Sequence, residues 1–277
     1  MPEGDTIFRA ARTLHRALAG RSVASFESAF PALNRIHDDA PITGRTIERV
    51  TAVGKHVLMH LSGNLVLRTH MRMNGSWHIY RPGERWQRSR RDMRIVIATE
   101  DFEAVGFSIP VAEFTSGRRL GKHRELRTLG PDVLSEGFQA AEALRRIRDR
   151  GTTEIADVLL NQRVLAGLGN VYKSEVLFIC CIHPFTLVRD LSDIQLAAIV
   201  ETARRVLSAN VSEGLALMTT YNGFRRTTGR GDPKERLWVY GRARLPCRRC
   251  GAAIRVRKQG TDARLTYWCP HCQEINH

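Results

Sequence analysis

The sequence predicts an α+β protein of several domains, because successive parts of the chain differ in the spacing of their apolar residues and in cysteine content. A leading helix precedes residues 22–110, where short apolar and β-branched runs alternate with turn signals, as is typical of strands. Beyond residue 131, apolar positions recur three and four residues apart, which is typical of helices. Two cysteine pairs follow near the end of the chain. We therefore expect a sheet domain, a helical domain and a small metal-binding module.

The leading helix is predicted over residues 5–18, with Gly4 or Asp5 as the N-cap. Its apolar residues share one face: Ile7, Ala11, Leu14 and Leu18. The strands that follow are separated by turn signals such as Ser62–Asn64. They are predicted at Ile47–Val53, His56–Leu61, Leu65–His70, Ser76–Tyr80, Arg94–Thr99 and Glu103–Phe107. Consecutive short strands of this kind favour a sandwich or a barrel.

A cluster of helix and strand breakers, Leu129–Asp132, ends the first domain, which we predict at residues 1–130. The helical domain is predicted at residues 131–221. Its helices are expected at Phe138–Arg150, Glu154–Gln162, Val171–Cys181 and Asp193–Val211. Residues 222–241 are expected to form a basic connecting loop, and residues 242–277 a separate module.

The module contains two Cys-x2-Cys pairs separated by 18 residues, a stretch long enough for two strands: Cys247 and Cys250, then Cys269 and Cys272. This spacing predicts one four-thiolate zinc ion. Four protein ligands leave no open coordination position, so the zinc is expected to be structural. His271 breaks the paired spacing and is not expected to bind the metal. Cys180 and Cys181 lie in an apolar helix and are expected to be buried core thiols.

The charge of the chain constrains its partners. It has 43 Lys and Arg against 28 Asp and Glu, a formal net charge of +15, which suits a polyanion such as nucleic acid or an anionic membrane. Part of the excess lies in the module at 242–277 and in Arg225–Arg236 before it. No apolar run approaches the roughly 18 residues of a membrane helix, and no basic amphipathic helix carries the charge. Residues 1–5 lack the features of a signal peptide. A cytoplasmic protein without a membrane partner is expected, and disulfides are rare there.

The second residue is a candidate nucleophile. Removal of Met1 before Pro2 would free a secondary amine, whose pKa of about 8 lies below the value of about 10.4 for lysine. Glu3 provides a carboxylic acid beside it. An amine of this kind can attack a carbonyl-like carbon and form an iminium ion. A Met-Pro-Glu start alone carries little weight, and the other motifs of the chain decide its meaning.

Four separated motifs occur in one order: Met1–Gly4, Gly54–His56, Gly167–Tyr172 and Tyr267–Gln273. In this arrangement the chain resembles the formamidopyrimidine-DNA glycosylase / endonuclease VIII family of base-excision repair enzymes, from residue 2 to about residue 273. The resemblance implies an N-terminal β-sandwich, a helix–two-turn–helix domain and a zinc finger. It also implies a bacterial, nucleoid-associated enzyme that acts on damaged DNA, duplex or single-stranded. We further expect it to act as a monomer.

The resemblance also implies the roles of individual residues. Pro2 would attack C1′ of the damaged nucleotide, and Glu3 would act as general acid at the sugar. A Schiff base would then undergo β- and δ-elimination. Lys55 matches a lysine that contacts a phosphate and assists catalysis. The remaining matches are with DNA-contacting positions: His70, Arg72, Met73, Asn170 and Arg264.

Among these DNA contacts, Met73 is expected to fill the space that the extruded base leaves, with Arg72 and Asn74 beside it. A methionine at a strand end is ordinarily a core residue, so this assignment has a plain alternative. Asn170 has a physical argument besides the match, since it follows Gly167 and Gly169 at a helix start, where N–H groups and the helix dipole favour a phosphate.

The choice between the branches of the family rests on a few residues. The start Pro2–Gly4 is similar to that of the endonuclease VIII branch. Asp101–Gly106 occupies the place of an Arg-Phe pair that reads the opposite cytosine in the guanine-repair branch, and Ala104 and Val105 cannot make such contacts. These features favour oxidised pyrimidines and weak dependence on the opposite base. Met73 is instead typical of the guanine branch.

The chain departs from the family pattern at Thr6, where many relatives have a second glutamate, and at Asn161, where an aspartate is common. Two alternatives stay open: an 8-oxoguanine/formamidopyrimidine-type glycosylase, and a zinc protein that binds damage without excising it. The joint presence of Pro2, Glu3 and Lys55 favours an enzyme, because a non-catalytic relative would be expected to have lost at least one of them.

Overall fold

The computed structural model describes residues 2–212, 225–228, 230 and 232–274. The described chain divides into two units, one up to Thr128 and one from Leu129 onwards. Each unit has its own apolar core.

The first unit is a sandwich of two antiparallel four-stranded sheets. Its strands are β1 (Ser25–Ser28), β2 (Ile47–Val53), β3 (His56–Leu61), β4 (Leu65–His70), β5 (Ser76–Tyr80), β6 (Met93–Ala98), β7 (Glu103–Phe107) and β8 (Val111–Ser116). One sheet has the order β1-β6-β7-β5 and the other β2-β3-β4-β8. Side chains that alternate along the strands, such as Val57, Met59 and Leu61 of β3, form the core between the sheets. The predicted sandwich is confirmed.

Helices accompany the sandwich. They are α1 (Gly4–Leu18), α2 (Pro31–Asp39), α3 (Gly117–Leu120) and α4 (Arg124–Arg127). The apolar stripe of α1 is buried as predicted, but its N-cap is Glu3 and not Gly4 or Asp5. The expectation of strands throughout residues 22–110 was wrong for α2. This helix has Pro31 at its first turn but buries only Leu33, so it lacks a long apolar stripe.

The second unit begins with a helical domain. Its helices are α5 (Ala140–Arg148), α6 (Ile155–Leu160), α7 (Asn170–Ile179) and α8 (Asp193–Ser212), and each end lies within two residues of the predicted one. Their buried faces form one core, in which Tyr172, Leu177 and Leu207 are fully buried. No helix in the described part of the chain is long and apolar enough to cross a membrane.

The C-terminal module contains the strands β9 (Arg255–Gln259) and β10 (Arg264–Trp268). They form an antiparallel hairpin in which Arg264 pairs with Gln259. Thr266 of β10 is fully buried, whereas four of the five residues of β9 are exposed. The hairpin therefore presents a basic surface on β9, as its sequence predicts.

Candidate active site and zinc centre

The N-terminal end of α1 holds the two candidate catalytic residues in a buried position. Pro2 is buried and Glu3 is 0% exposed. The backbone N–H of Glu3 lies 3.5 Å from the hydroxyl oxygen of Thr6, which accepts it, and the Thr6 hydroxyl lies 3.3 Å from the Asp5 carboxylate. Thr6 thus helps to cap the helix. The sequence shows Thr6 only as a replacement for the glutamate that many relatives have at this position.

Strand pairing and helix packing bring Lys55 to the end of the sandwich toward which the N-terminal end of α1, with Pro2 and Glu3, points. The C-terminal end of α1 is tied to the start of β2, since Gly20 donates its N–H to the Ile47 carbonyl at 2.8 Å. The helix has 15 residues and β2 has seven, so both span about 22–24 Å. The Val50 N–H also donates to His15 Nδ1 at 3.1 Å, so α1 runs antiparallel to β2 and its N-terminal end points toward the Gly54–Lys55 turn. Lys55 is half-buried there.

The segment that contains His70 and Met73 lies at this end as well, because His70 pairs directly with His56, the residue after Lys55. Met71 is a core residue, whereas Met73 is 49% exposed. Arg72 is exposed with a φ of 45°. A Cβ on Gly75 would lie 2.6 Å from the Met71 carbonyl oxygen, so the tight turn requires glycine.

The structure corrects the interpretation of Asp101–Gly106. Ala104 and Val105 are both fully buried in β7, one in the core of the sandwich and one beneath Trp86 on the outer face of the sheet. They cannot face a base. The segment next to the Met73 loop is instead Ser108–Pro110, because Phe107 pairs with Ser76. It also lacks an arginine or an aromatic residue.

In the second unit, Asn170 is the first residue of α7, after Gly169 as N-cap. The helix start is confirmed, and the side chain proves to be buried. Its Nδ2 donates to the Leu265 carbonyl at 2.9 Å, and its Oδ1 has no hydrogen-bond partner among the described residues. Leu265 follows Arg264, so the structure brings Asn170 and Arg264 together. The Arg264 side chain is 40% exposed.

Sequence reasoning missed Gln162, which shapes the turn before Asn170. Its Nε2 donates to the carbonyls of Leu160 and Leu168, each at 2.9 Å, and its Oε1 accepts the N–H of Gly167 at 3.1 Å. Asn161 accepts the N–H of Arg163 at 3.0 Å through its amide oxygen, as an aspartate could. The sequence does contain a signal for this role, since Asn161 and Gln162 form a polar pair between an apolar helix and a glycine-rich turn.

The four predicted zinc ligands form one cluster. The Sγ atoms of Cys247, Cys250, Cys269 and Cys272 all lie within 4.8 Å of one another. The distances are 3.4 Å between Cys250 and Cys269 and 3.9 Å between Cys247 and Cys272. Sulfur atoms at the corners of a tetrahedron around zinc are about 3.8 Å apart. The thiolates fit one structural zinc with a closed coordination sphere.

The prediction for the other two cysteines was half wrong. Cys180 is half-buried, but Cys181 is exposed. The reason is that α7 ends at Ile179, and Cys181 has a left-handed backbone conformation with a φ of 57°. The chain therefore turns out of the core before Cys181.

Comparison with known proteins agrees with this architecture. The chain shares its fold with Lactococcus lactis Fpg, solved in complex with DNA that contains an abasic site: the TM-score is 0.82 at 24% identity over 99% of this chain and 100% of that one. Family models match over the formamidopyrimidine-DNA glycosylase N-terminal domain (residues 1–123), the H2TH domain of the same glycosylase (residues 129–221) and the zinc finger found in FPG and IleRS (residues 244–275).

Two relatives of similar length are particularly informative. A Streptomyces coelicolor protein named probable endonuclease 8 2 is 40% identical, over 99% of this chain and 94% of that protein. The DNA-(apurinic or apyrimidinic site) lyase Nei2 of Mycolicibacterium smegmatis is 34% identical, over 99% of each chain. The chain belongs to the formamidopyrimidine-DNA glycosylase family.

Proposed function

We propose that the protein is a bifunctional DNA glycosylase and AP lyase of base-excision repair, in which the amine of Pro2 is the nucleophile. The observation that supports this most strongly is the placement of Pro2 and Glu3 in the buried N-terminal end of α1, at the same end of the sandwich as Lys55. A buried amine beside a carboxyl group has the chemistry that iminium formation needs. One relative is named a probable endonuclease 8 and another a DNA-(apurinic or apyrimidinic site) lyase.

In the proposed reaction, the Pro2 nitrogen attacks C1′, and the glycosidic bond breaks as the base leaves with its electron pair and takes up the proton that the amine loses. Glu3 gives a proton to the ring oxygen O4′, so that the sugar opens and the iminium forms. Loss of a proton from C2′ then expels the 3′ phosphate, and a second elimination expels the 5′ phosphate. Water hydrolyses the iminium and restores Pro2. Lys55 holds a phosphate during these steps.

We propose that the surrounding DNA is held by His70, Arg72, Met73, Asn170 and Arg264. Met73 enters the space of the extruded base, which its exposure supports. His70 and Asn170 contact phosphates. Arg264 does the same from the hairpin next to Asn170. The phosphate contacts follow the DNA backbone and carry no base code, in agreement with the large positive charge of the chain.

The preferred lesions are proposed to be oxidised pyrimidines, with little dependence on the opposite base. The segment Ser108–Pro110 supports this, because Ile109 is buried and the segment has neither an arginine to read an opposite base nor an aromatic ring to stack on one. Duplex DNA is the proposed main substrate, with single strands as a second one. We also propose that the enzyme acts as a monomer in the bacterial cytoplasm, at the nucleoid.

Borohydride trapping tests the proposal. The wild-type protein should form a covalent adduct with a duplex that contains one oxidised pyrimidine, and with an abasic duplex. A Pro2→Gln variant, which retains Met1, should form neither. Glu3→Gln is the matched control, because a glutamine can still cap α1: it should retain DNA binding, while base excision falls by about 10²–10⁴-fold. Absence of a wild-type adduct on both duplexes would favour a damage-binding protein without catalysis.

A further inference from the structure

Arg68 is a charged residue in the middle of β4, and only 4% of its side chain is exposed. It lies on the face of its sheet that is turned away from the sandwich core. Its Nε contacts Glu113 Oε1 at 2.7 Å, and its Nη1 contacts Glu125 Oε2 at 2.8 Å and His56 Nδ1 at 3.0 Å. A buried guanidinium needs such partners. None of them explains why the charge is placed here, next to the Lys55 turn.

The contact with His56 determines where the imidazole proton lies. A guanidinium can only donate, so His56 Nδ1 accepts from Arg68, and the proton of the neutral ring is on Nε2. His70 has the same arrangement, since its Nδ1 accepts the backbone N–H of Arg72 at 3.1 Å. The two rings pair across β3 and β4, with centroids 4.6 Å apart at 69°. Both rings therefore present Nε2–H as their remaining donor.

The surroundings also keep both rings neutral. Burial lowers the pKa of His56 to about 3, and His70, Arg68 and His123 add to the shift. Burial likewise lowers the pKa of His70 to about 4, helped by Lys55 and Arg72 and opposed by Glu125. The charged or titratable groups that face the pair are Lys55, Arg68, Arg72, Glu113, His123 and Glu125.

We propose that Arg68 is a positioning residue: its bond to His56 Nδ1 keeps His56 neutral and edge-on against His70, so that His70 can contact a DNA phosphate as a neutral donor while Lys55 supplies the positive charge there. The inference rests on the proposed function, in which Lys55 and His70 contact phosphates. Its physical advantage is the avoidance of repulsion, since a protonated His56 or His70 would lie against Lys55, Arg68 and Arg72. DNA binding should then be insensitive to the protonation of these rings between about pH 5 and 8.

Imidazole ¹⁵N NMR of the free protein tests the arrangement directly. In the wild type, His56 and His70 should both show the Nε2–H tautomer at pH 7 and should not become protonated above about pH 5. In Arg68→Met the donor to His56 Nδ1 and the neighbouring cation are lost, so the pKa of His56 should rise and that of His70 should rise less, because burial, the main cause of both low pKa values, remains. Arg68→Lys, which restores a cationic donor, should return them toward the wild-type values.

The pH dependence of DNA binding supplies a readout that a merely structural role would not change. A ring with a raised pKa takes up a proton when it meets a phosphate, so the affinity of Arg68→Met should tighten by up to about tenfold per unit as the pH falls from 7 to 5.5. The wild type should lack this component. Arg49→Met is the matched control: Arg49 Nη2 lies 3.3 Å from His60 Nδ1, at the other end of β3 on the same face.

The outcomes separate the two proposals. Protonation of wild-type His70 near pH 6.5 would overturn the role of Arg68, even if borohydride trapping succeeds. Unchanged pKa values in a folded Arg68→Met would do the same. If Arg68→Met does not fold, the wild-type tautomers and their titration still decide the question. A failure of trapping with the expected tautomers would refute the enzyme and leave the arrangement around Arg68 in place.

Discussion

Replacement of Glu175 by glutamine tests how the segment before the zinc finger is held. Glu175 is fully buried in α7. Its Oε1 accepts the backbone N–H groups of Val239 and Tyr240 at 2.9 and 2.8 Å. Its Oε2 accepts the N–H of Trp238 at 2.8 Å and the hydroxyl of Thr227. One carboxylate thus satisfies four donors, three of which belong to consecutive residues.

The expected loss follows from these contacts. In Glu175→Gln the side-chain NH₂ replaces an oxygen and faces the N–H of Trp238, which leaves a buried donor unsatisfied, at about 1–3 kcal/mol. The bonds to Val239 and Tyr240 lose their charge assistance. We expect a total of about 3 kcal/mol. For a unit of this size the melting temperature should fall by roughly 6–12 °C.

Differential scanning calorimetry of the zinc-loaded protein measures this change. The transition of the second unit should shift, and that of the sandwich should not, since Glu175 belongs to the second unit. Glu201→Gln is the control, because Glu201 lies exposed on α8. Equal melting temperatures for Glu175→Gln and Glu201→Gln would show that the carboxylate does not anchor the segment.

Two further predictions concern DNA binding. Cys250→Ser should lose the zinc, measured as metal per chain, because three thiolates hold the ion poorly. Most of the DNA affinity should be lost with the metal. A full zinc content in this variant would refute the ligand set. Arg264→Ala should weaken binding to any sequence and reduce the slope of log Kd against log salt by about 0.9. Arg189→Ala is the control, because the Arg189 side chain is 63% exposed elsewhere in the same unit, and this variant should leave the slope unchanged. An unchanged slope in Arg264→Ala would exclude a phosphate contact by Arg264.

Local patterns predicted the regular elements well where burial and periodicity agree. The strand β3 has alternating core residues and was predicted with its observed bounds, and α8 has a long apolar face. The helix α2 was missed because one buried leucine in nine residues leaves almost no period. The strand β8 was missed because all its residues are half-buried. Its assignment depends on pairing with β4, which is a long-range contact.

The error at Asp101–Gly106 has the same origin. Its residues were correctly predicted as a strand from Glu103, but their place relative to Met73 depends on register. Ser76 pairs with Phe107 and Tyr80 with Glu103, so Ala104 lies toward the far end of β7 from the Met73 loop. Register is set by the burial of whole faces and cannot be obtained from one segment alone.

The sequence by itself determined the zinc ligands and the proline–glutamate start, because their chemistry depends on residue types a few positions apart. Only the tertiary structure showed that Arg68, His56 and His70 form one cluster with Glu113 and Glu125, and that Asn170 meets the hairpin beside Arg264. These groups are far apart along the chain. Strand pairing and helix packing bring these groups together. Both processes are driven by the burial of apolar residues, so the polar residues that end up side by side carry no local sign of their proximity.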